Sequence, residues 1–322
     1  MAIDSTAQKD STLPRLGQAA NAQSPLGFAA ISGAATLLGI GSVVAKAADV
    51  AGPVLALNRL GFAAVIYLAI FHLMGGRITV AALRASAPGG LVFGIELALF
   101  FSAIQLTTVA NATMLIALQP VVILLFYSRR FGETATRREL LLSLVAVLGV
   151  GLVVFGSTDS PAWSPMGDLL AIGALITWTL YFVYSKQARQ TLGAIEYQGL
   201  SLIFSTIVVL PVALAFSGTV DPGPGKWWWI AAMVATPGTG HVLMNWAHPR
   251  VPLALVSEMT LVSPVIAVAL AAWVLDGEAL NTAQLFGMAV VLGSLAVMVR
   301  PRPLPKSTIS SYESVPEAAP SR

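Results

Sequence analysis

Long apolar stretches alternate with short polar segments along most of the chain. Ten of these stretches have about 20 residues, which is enough to cross the hydrocarbon core of a bilayer as a helix. They lie at residues 26–46, 53–74, 88–107, 110–127, 139–157, 166–185, 196–216, 227–247, 252–273 and 281–299. Because lipid offers no hydrogen-bond partners to the backbone, each stretch is predicted to be helical. The sequence lacks the alternation of apolar and polar positions that is typical of membrane barrel strands.

The same pattern occurs twice in the chain. Four small or kinking residues recur 144 positions later: Gly94, Ala103, Ala110 and Pro120 as Gly238, Ala247, Ala254 and Pro264. Two further signals recur at 140 and 145 positions: Gly27 and Lys46 as Gly167 and Lys186, and Gly132-Glu133 as Gly277-Glu278. Five spans in each copy is an odd number, so the two copies must insert in opposite directions. The predicted fold is therefore an all-α membrane protein of ten transmembrane helices, built as two inverted five-helix repeats.

The repeats define the predicted domains. Residues 25–157 form the first repeat and residues 165–300 the second. Residues 1–24 are polar and do not resemble a cleaved signal peptide, and residues 301–322 are rich in Pro, Ser and Glu. We expect both tails to be disordered and cytoplasmic.

Composition and charge support this topology. Charged residues make up 10% of the chain, whereas a soluble domain carries about 25%. With the N-terminus inside, fifteen of the eighteen lysines and arginines lie on the cytoplasmic side. The positive-inside rule then predicts a multi-pass protein of the bacterial inner membrane with both termini cytoplasmic. The pI of 9.3 reflects this asymmetry and does not indicate nucleic-acid binding.

Three ionisable residues in the spans are candidates for binding a substrate or a proton. Glu96, His241 and Glu258 lie on three different helices at similar predicted depth. A charge at mid-bilayer costs about 2.5–3.5 kcal/mol, so each of them calls for an explanation. One interpretation is a cluster that binds a proton or a substrate amine. The alternative is that the acids are neutral or paired and only tie helices together, and that His241 is a packed, hydrogen-bonded residue.

Arg59, early in the second span, is a fourth candidate. Its guanidinium could attract an anionic group such as a substrate carboxylate. The alternative, which we favour from sequence, is a structural role in which the side chain snorkels to the outer interface or binds carbonyls.

Prolines near the middle of three spans predict helix breaks. Pro120 and Pro264 are repeat-mates, and Pro237 should bend the eighth span in the same way. Exposed carbonyls at such breaks, together with the neighbouring Gln119 and Ser263, are candidates for substrate binding.

Aromatic and amide side chains complete the candidate site. Trp178 and Tyr181 are three residues apart and share one helix face, where they form either an aromatic wall of the cavity or ordinary packing. Asn245 is a further polar candidate.

These motifs resemble the drug/metabolite transporter superfamily, and in particular its EamA-type ten-helix members. The resemblance covers residues 26–300. In the first and sixth spans it lies in Gly39-Ile40-Gly41-Ser42 before Lys46 and in Trp178 to Phe182 before Lys186. It also includes Arg59 and, in residues 110–133 and 254–278, a central proline and a closing Gly-Glu. It departs from the family at Leu38, where the family often has tryptophan. Glu96, His241 and Glu258 are not general family features.

The resemblance implies a secondary transporter that moves a small organic metabolite or drug, with an amino-acid-like solute favoured, by alternating access and as an exporter. Proton coupling is expected if Glu96 titrates. A facilitative uniporter or a channel without proton coupling stays open, as does homodimerisation. The sequence has no cysteine, no zinc-binding motif and no nucleophile motif, so we expect no cofactor, no metal and no enzymatic activity.

Overall fold

The computed structural model describes residues 24–107, 109–133, 135–155, 164–274 and 280–299. Within these ranges the chain forms helices and no strands. Nine helices among the described residues are long and apolar enough to span a membrane. The tenth predicted span, residues 227–247, is present as shorter helical segments. The protein is thus an all-α membrane protein with ten spans, and both predicted tails and the Gly277-Glu278 pair lie outside the described residues.

Seven spans are continuous helices and three are interrupted. The continuous ones are α1 (Pro25–Ala48), α2 (Gly52–Leu73), α3 (Val80–Leu106), α5 (Arg137–Phe155), α6 (Pro165–Ala188), α7 (Ala194–Ser217) and α10 (Thr282–Val299). The interrupted ones are α4 (Val109–Ile116, Gln119–Val122, Ile123–Tyr127, Ser128–Phe131), α8 (Trp227–Met233, Val234–Gly238, Thr239–Ala247) and α9, whose parts we name α9a (Leu253–Thr260) and α9b (Val262–Val274).

Matching caps begin the first helix of each repeat. The Ser24 hydroxyl accepts a hydrogen bond from the Gly27 amide at 3.3 Å, and the Ser164 hydroxyl accepts one from the Gly167 amide at 3.2 Å. Each cap satisfies an amide that has no partner within its helix. A proline occupies the first helical position in both cases, where it displaces no hydrogen bond.

Helix α3 begins earlier than its hydrophobic pattern predicts. It starts at Val80 instead of residue 88, because the Thr79 hydroxyl accepts a hydrogen bond from the Ala82 amide at 3.1 Å. The added turns include Arg84, so the helix extends beyond the apolar stretch that the hydrophobic pattern identifies.

The interruptions fall at the three predicted prolines. In α4 the helix is broken at residues 117–118, just before Pro120, and in α9 it is broken at Leu261, just before Pro264. In α8 the residues Val234–Gly238, which include Pro237, form one wider π-helical turn. A proline has no N–H and clashes with the preceding turn, which favours an interruption at these three positions, although α3 and α7 continue past Pro88 and Pro211.

Equivalent helices of the two repeats make equivalent contacts with the opposite repeat. Helix α1 packs against α8 and α9 of the other repeat, and its mate α6 packs against α3 and α4. Gly27 at the start of α1 approaches Val251, while Gly167 at the start of α6 approaches Thr107. Val251 and Thr107 are themselves 144 positions apart, since 251 − 107 = 144. This reciprocity is what a twofold axis between inverted repeats requires.

The outward faces of the bundle are apolar. Trp273, Leu148 and Leu169 expose 84%, 65% and 60% of their surface. In water such faces would favour association, whereas in a bilayer they are solvated by lipid tails.

Candidate functional site

A small cavity lies between the two repeats, and polar groups converge on it. The first repeat contributes α2 and α3 to its wall and the second contributes α7 and α8. The lining residues are Arg59, Leu60, Ala63, Phe93, Gln198, Leu202, Met233, Gly238 and His241. Its volume is about 10 Å³, which is the space of about one water. The repeats are therefore closed around the site in this structure.

An aromatic cluster forms one side of this cavity. Phe93 stacks on Tyr181 with ring centroids 4.7 Å apart, and Tyr181 stacks on Trp178 at 5.3 Å. The His241 ring lies 5.1 Å from Phe93 and 6.0 Å from Trp178. Aromatic faces at these separations attract each other and also offer a surface for rings or cations.

Arg59 is the cationic group of the cavity. Among the described residues its guanidinium makes no ion pair within 4.0 Å, although Glu96 lies within electrostatic range. Glu96 on α3 is buried, with 7% of its surface exposed. Arg59 is half-buried and a guanidinium keeps its charge, so a cation whose donors have no hydrogen-bond partner among the described residues faces the cavity.

His241 lies on the π-interrupted helix α8, three residues after the wide turn. Its Nδ1 atom is buried and has no hydrogen-bond partner among the described residues. Beside the turn, the Tyr67 hydroxyl donates to the carbonyl of Val234 at 3.4 Å. The interruption thus presents both a backbone carbonyl and an imidazole nitrogen near the cavity.

Asn245 is fully occupied by protein partners and does not face the cavity freely. Its side-chain nitrogen donates to the Tyr181 hydroxyl and to the side-chain oxygen of Gln198, and its side-chain oxygen accepts from the Ser185 hydroxyl. Arg189 donates through Nε to the Asn245 backbone carbonyl at 2.9 Å. Asn245 therefore orients two side chains of the site, Tyr181 and Gln198.

Arg189 lies just beyond the end of α6. Burial, together with the neighbouring positive charge of Arg250, lowers the pKa of Arg189 to about 10. It remains a cation at neutral pH and suits the carbonyl end of α8.

The polar residues beside the prolines bind helices of the opposite repeat. Gln119 accepts a hydrogen bond from the Ser257 hydroxyl at 2.8 Å and donates to the Trp178 carbonyl at 3.2 Å. Ser263 donates to the Ala35 carbonyl at 3.0 Å. In this closed arrangement both side chains connect helices across the repeat interface.

Glu258 does not join the cluster around Arg59. It is fully buried on α9a, where its Oε1 atom contacts the Ser143 hydroxyl of α5. Its Oε2 atom has no hydrogen-bond partner among the described residues. Of the three acidic and imidazole candidates, His241 lines the cavity, Glu96 lies within electrostatic range of Arg59, and Glu258 lies at a separate helix contact.

A buried ion pair connects α4, α6 and α9 at one end of the bundle. Lys186 pairs with Glu133 and donates to the Val251 carbonyl at 3.1 Å. Glu133 also accepts from the Leu253 amide at 2.8 and 2.9 Å, which caps the start of α9a. The ion pair between Glu133 of the first repeat and Lys186 of the second thus holds the two repeats together.

Three further residues take part in these contacts and are not among the candidates that the sequence pattern indicates. Gln198 and Phe93 line the cavity, and Ser143 contacts Glu258. Gln198 and Ser143 could have been identified as polar residues within apolar spans, as Glu96 was. Phe93 carries no such signal, because a phenylalanine in a membrane helix is equally suited to face lipid.

No group of described residues is arranged to hold a metal ion. Nowhere in the described ranges do three or more His, Asp or Glu side chains come together in a way that fits a metal site.

Comparison with known proteins identifies relatives of the whole bundle. The model of the EamA-like transporter family matches residues 25–155 and 165–300. An uncharacterized transporter of Archaeoglobus fulgidus is 27% identical over 207 residues, which cover 64% of this chain and 73% of that protein. A protein of known crystal structure superposes with a TM-score of 0.70 at 22% identity, over 85% of this chain and 95% of the other. This last similarity concerns the fold alone.

Proposed function

This chain belongs to the EamA-like transporter family, and from that premise we propose that it exports an amino-acid-like solute from the cytoplasm by alternating access. Membership of the family makes it a membrane transporter of small solutes. The cargo class, the direction and the coupling are our proposal.

The observation that carries the cargo class is the pairing of charges in the cavity. Arg59 has free donors, and a guanidinium matches the two oxygens of a carboxylate. Glu96 lies on α3, the next helix of the same repeat, within electrostatic range of Arg59. A solute with a carboxylate and an ammonium group would satisfy both charges at once, and the ring cluster of Phe93, Trp178 and Tyr181 would contact its side chain.

Alternating access is supported by the size of the cavity and by the broken helices. A cavity of about 10 Å³ cannot hold an amino acid, so the repeats must separate to admit one. Helices α4, α8 and α9 are interrupted near mid-span, and such breaks allow their halves to move separately. A channel would instead need a continuous aqueous path.

We propose that protons drive export through Glu96. A buried carboxylate that binds the ammonium group of the cargo must first lose its proton, so cargo and proton compete for one site. Exchange of one for the other then couples outward movement of the cargo to inward movement of a proton.

The orientation follows from charge. Fifteen of eighteen basic residues lie on one side in the ten-span topology, and this side faces the cytoplasm under the positive-inside rule. We therefore propose an inner-membrane location with both termini in the cytoplasm.

Efflux from proteoliposomes preloaded with a mixed pool of amino acids, nucleobases and small cations tests the proposal. We expect selective efflux of zwitterionic solutes that follows an imposed pH gradient. Arg59→Gln should abolish it, while Arg59→Lys should retain charge but raise the apparent KM, because an ammonium cannot bind a carboxylate in a bidentate manner.

Glu96→Gln separates coupling from binding. This variant should lose the response to the pH gradient. Glu196→Gln is the matched control, because Glu196 lies away from the cavity at the start of α7, where it accepts from the Gly193 amide. Efflux that follows the gradient in Glu96→Gln would reject the coupling role, and selective efflux indifferent to the gradient in the parent protein would indicate a facilitative uniporter.

A further inference from the structure

Half-helix α9a belongs to the second repeat but is held by polar contacts to the first. The Leu253 amide donates to Glu133, the Ser257 hydroxyl donates to Gln119, and Glu258 contacts Ser143. Positions 253 and 257 are four residues apart and lie on one face of the helix, whereas Glu258 lies on the adjoining face. The contacts therefore follow one another along α9a, from its first residue to near its end.

The far end of α9a is a hinge. The helix stops at Thr260, turns at Leu261 and resumes at Val262. Pro264 has no N–H with which to bind the carbonyl of Thr260, so the backbone connection between the two halves is weakened. The α9a segment can swing away from the first repeat without moving α9b, provided that the line of contacts is released.

A proton on Glu258 allows both contacts of the Ser143 hydroxyl to be hydrogen bonds. The Ser143 hydroxyl has one hydrogen. Its oxygen lies 2.9 Å from the carbonyl oxygen of Glu139 and also contacts Glu258. If the hydroxyl donates to the carbonyl, the contact with Glu258 needs a hydrogen from the carboxyl group. A protonated Glu258 donates to Ser143, and Ser143 donates to Glu139, so both hydrogens are used.

The ionised form fits the same place poorly. A carboxylate there would receive at most one hydrogen bond, from Ser143, and its Oε2 atom would remain buried without a partner. Burying an incompletely bonded charge is far more costly than burying a neutral carboxyl. Among the described residues, no basic side chain is in electrostatic contact with Glu258 to compensate for such a charge.

The ionisable groups around α9a are few. The segments of α4, α5 and α6 that pack near it carry Tyr127, Glu133, Glu139 and Lys186. Lys186 is engaged by Glu133, and the Glu139 carboxylate accepts from the amide and hydroxyl of Thr136. Among the described residues, Glu139 is the ionisable group in electrostatic contact with Glu258, and it is an acid.

We propose that Glu258 is a proton-binding site, distinct from the cargo cavity, and that the proton bound there holds α9a against the first repeat. A proton that binds better to the closed arrangement shifts the population towards it. Loss of the proton releases α9a about the hinge at Leu261 and opens the face of the protein that carries Glu133. The contact thus acts as a pH-sensitive gate.

The role of this gate in transport rests on the function proposed above, but the experiment that tests the gate requires no cargo. The chain has no native cysteine, so single substitutions give clean probes. Val256 on α9a is fully buried, and Val256→Cys should react with a charged, membrane-impermeant thiol reagent only when α9a moves away. Thr191→Cys is exposed on the same face and corrects for the rise in thiolate fraction with pH.

The measured quantity is the ratio of the reaction rate of Val256→Cys to that of Thr191→Cys, from about pH 5 to about pH 9, across the range where buried carboxyls titrate. We expect this ratio to rise several-fold with pH in the parent background. Glu258→Gln, which keeps a neutral side chain of the same shape, should keep the ratio low at every pH. Glu96→Gln should leave the rise intact.

Ser143→Ala provides a second variant that retains the carboxyl group. Without its partner on α5 the contact is weakened, so the ratio should be high even at low pH. A flat ratio in the parent, an unchanged rise in Glu258→Gln, or an unchanged ratio in Ser143→Ala would each overturn the gate. Loss of export with the gate response intact would instead count against the proposed transport function alone.

Discussion

Buried polar residues in this bundle differ in what they bind, although they look alike in the sequence. The side-chain amide of Asn245 is hydrogen-bonded through both its nitrogen and its oxygen. The guanidinium of Arg59, in contrast, forms no ion pair with any described residue. The first arrangement rigidifies helices and the second leaves binding capacity for a ligand. The number of partners, rather than the residue type, separates structural residues from candidates for cargo binding.

Asn245→Leu should destabilise the protein by about 1–3 kcal/mol, because it leaves buried groups of Tyr181, Gln198 and Ser185 without a partner. Unfolding in detergent, followed by near-UV circular dichroism, measures the change. Thr36→Val is the control, since Thr36 donates only to the carbonyl of Ser32 in its own helix. Equal stability of the two variants would contradict the inference that Asn245 holds these three side chains together.

The Glu133–Lys186 pair makes a second prediction at this scale. Glu133→Gln should cost about 3 kcal/mol, because it leaves the partly buried ammonium of Lys186 without its counter-charge. The double variant Glu133→Gln with Lys186→Met should recover part of that loss in a double-mutant cycle. Additive losses would show that the two charges are not coupled.

At the scale of elements, glycines allow α1 to approach the broken helices closely. A Cβ atom on Gly39 would lie 2.8 Å from the Ser263 carbonyl, and one on Gly41 would lie 2.7 Å from Pro237. Only hydrogen fits at these positions, so α1 rests directly on the interruptions of α8 and α9. Movement of either interruption must therefore be transmitted to α1.

Gly39→Ala should lower both stability and transport, since the carbonyl that it would meet is backbone and cannot move aside. Gly293→Ala is the matched control on α10, where a Cβ would meet nothing within 4 Å. That control should be neutral or more stable by up to about 1 kcal/mol, because alanine favours a helix over glycine. Thermal unfolding and efflux assays of the two variants give the comparison.

For the whole molecule, the ten-span topology places the ends of the consecutive helices α6 and α7 on opposite membrane faces. Thr191 follows α6 and Thr219 follows α7, and both are exposed. Thr191→Cys should react with an impermeant reagent from the cytoplasmic side only, and Thr219→Cys from the outer side only. Reaction of both from one side would contradict the ten-span topology.

The spans, their number and the inverted repeat could be determined from the sequence alone. Hydrophobic length decides whether a segment spans a bilayer, and a proline in the interior of a helix removes one backbone hydrogen bond. These properties depend on neighbours along the chain. For this reason the predicted bounds of α8, residues 227–247, coincide with those in the structure, and α3 differs only where a cap at Thr79 extends the helix.

Only the tertiary structure decided which polar side chains meet. The sequence places Glu96, His241 and Glu258 at a similar depth, but depth does not specify the direction in which a side chain leaves its helix. Rotation and crossing of helices, set by close contacts such as Gly90 against Ser201, bring Glu96 and His241 to Arg59 and turn Glu258 towards Ser143. Local chain chemistry thus determined the elements, while contacts between residues far apart in sequence determined the site.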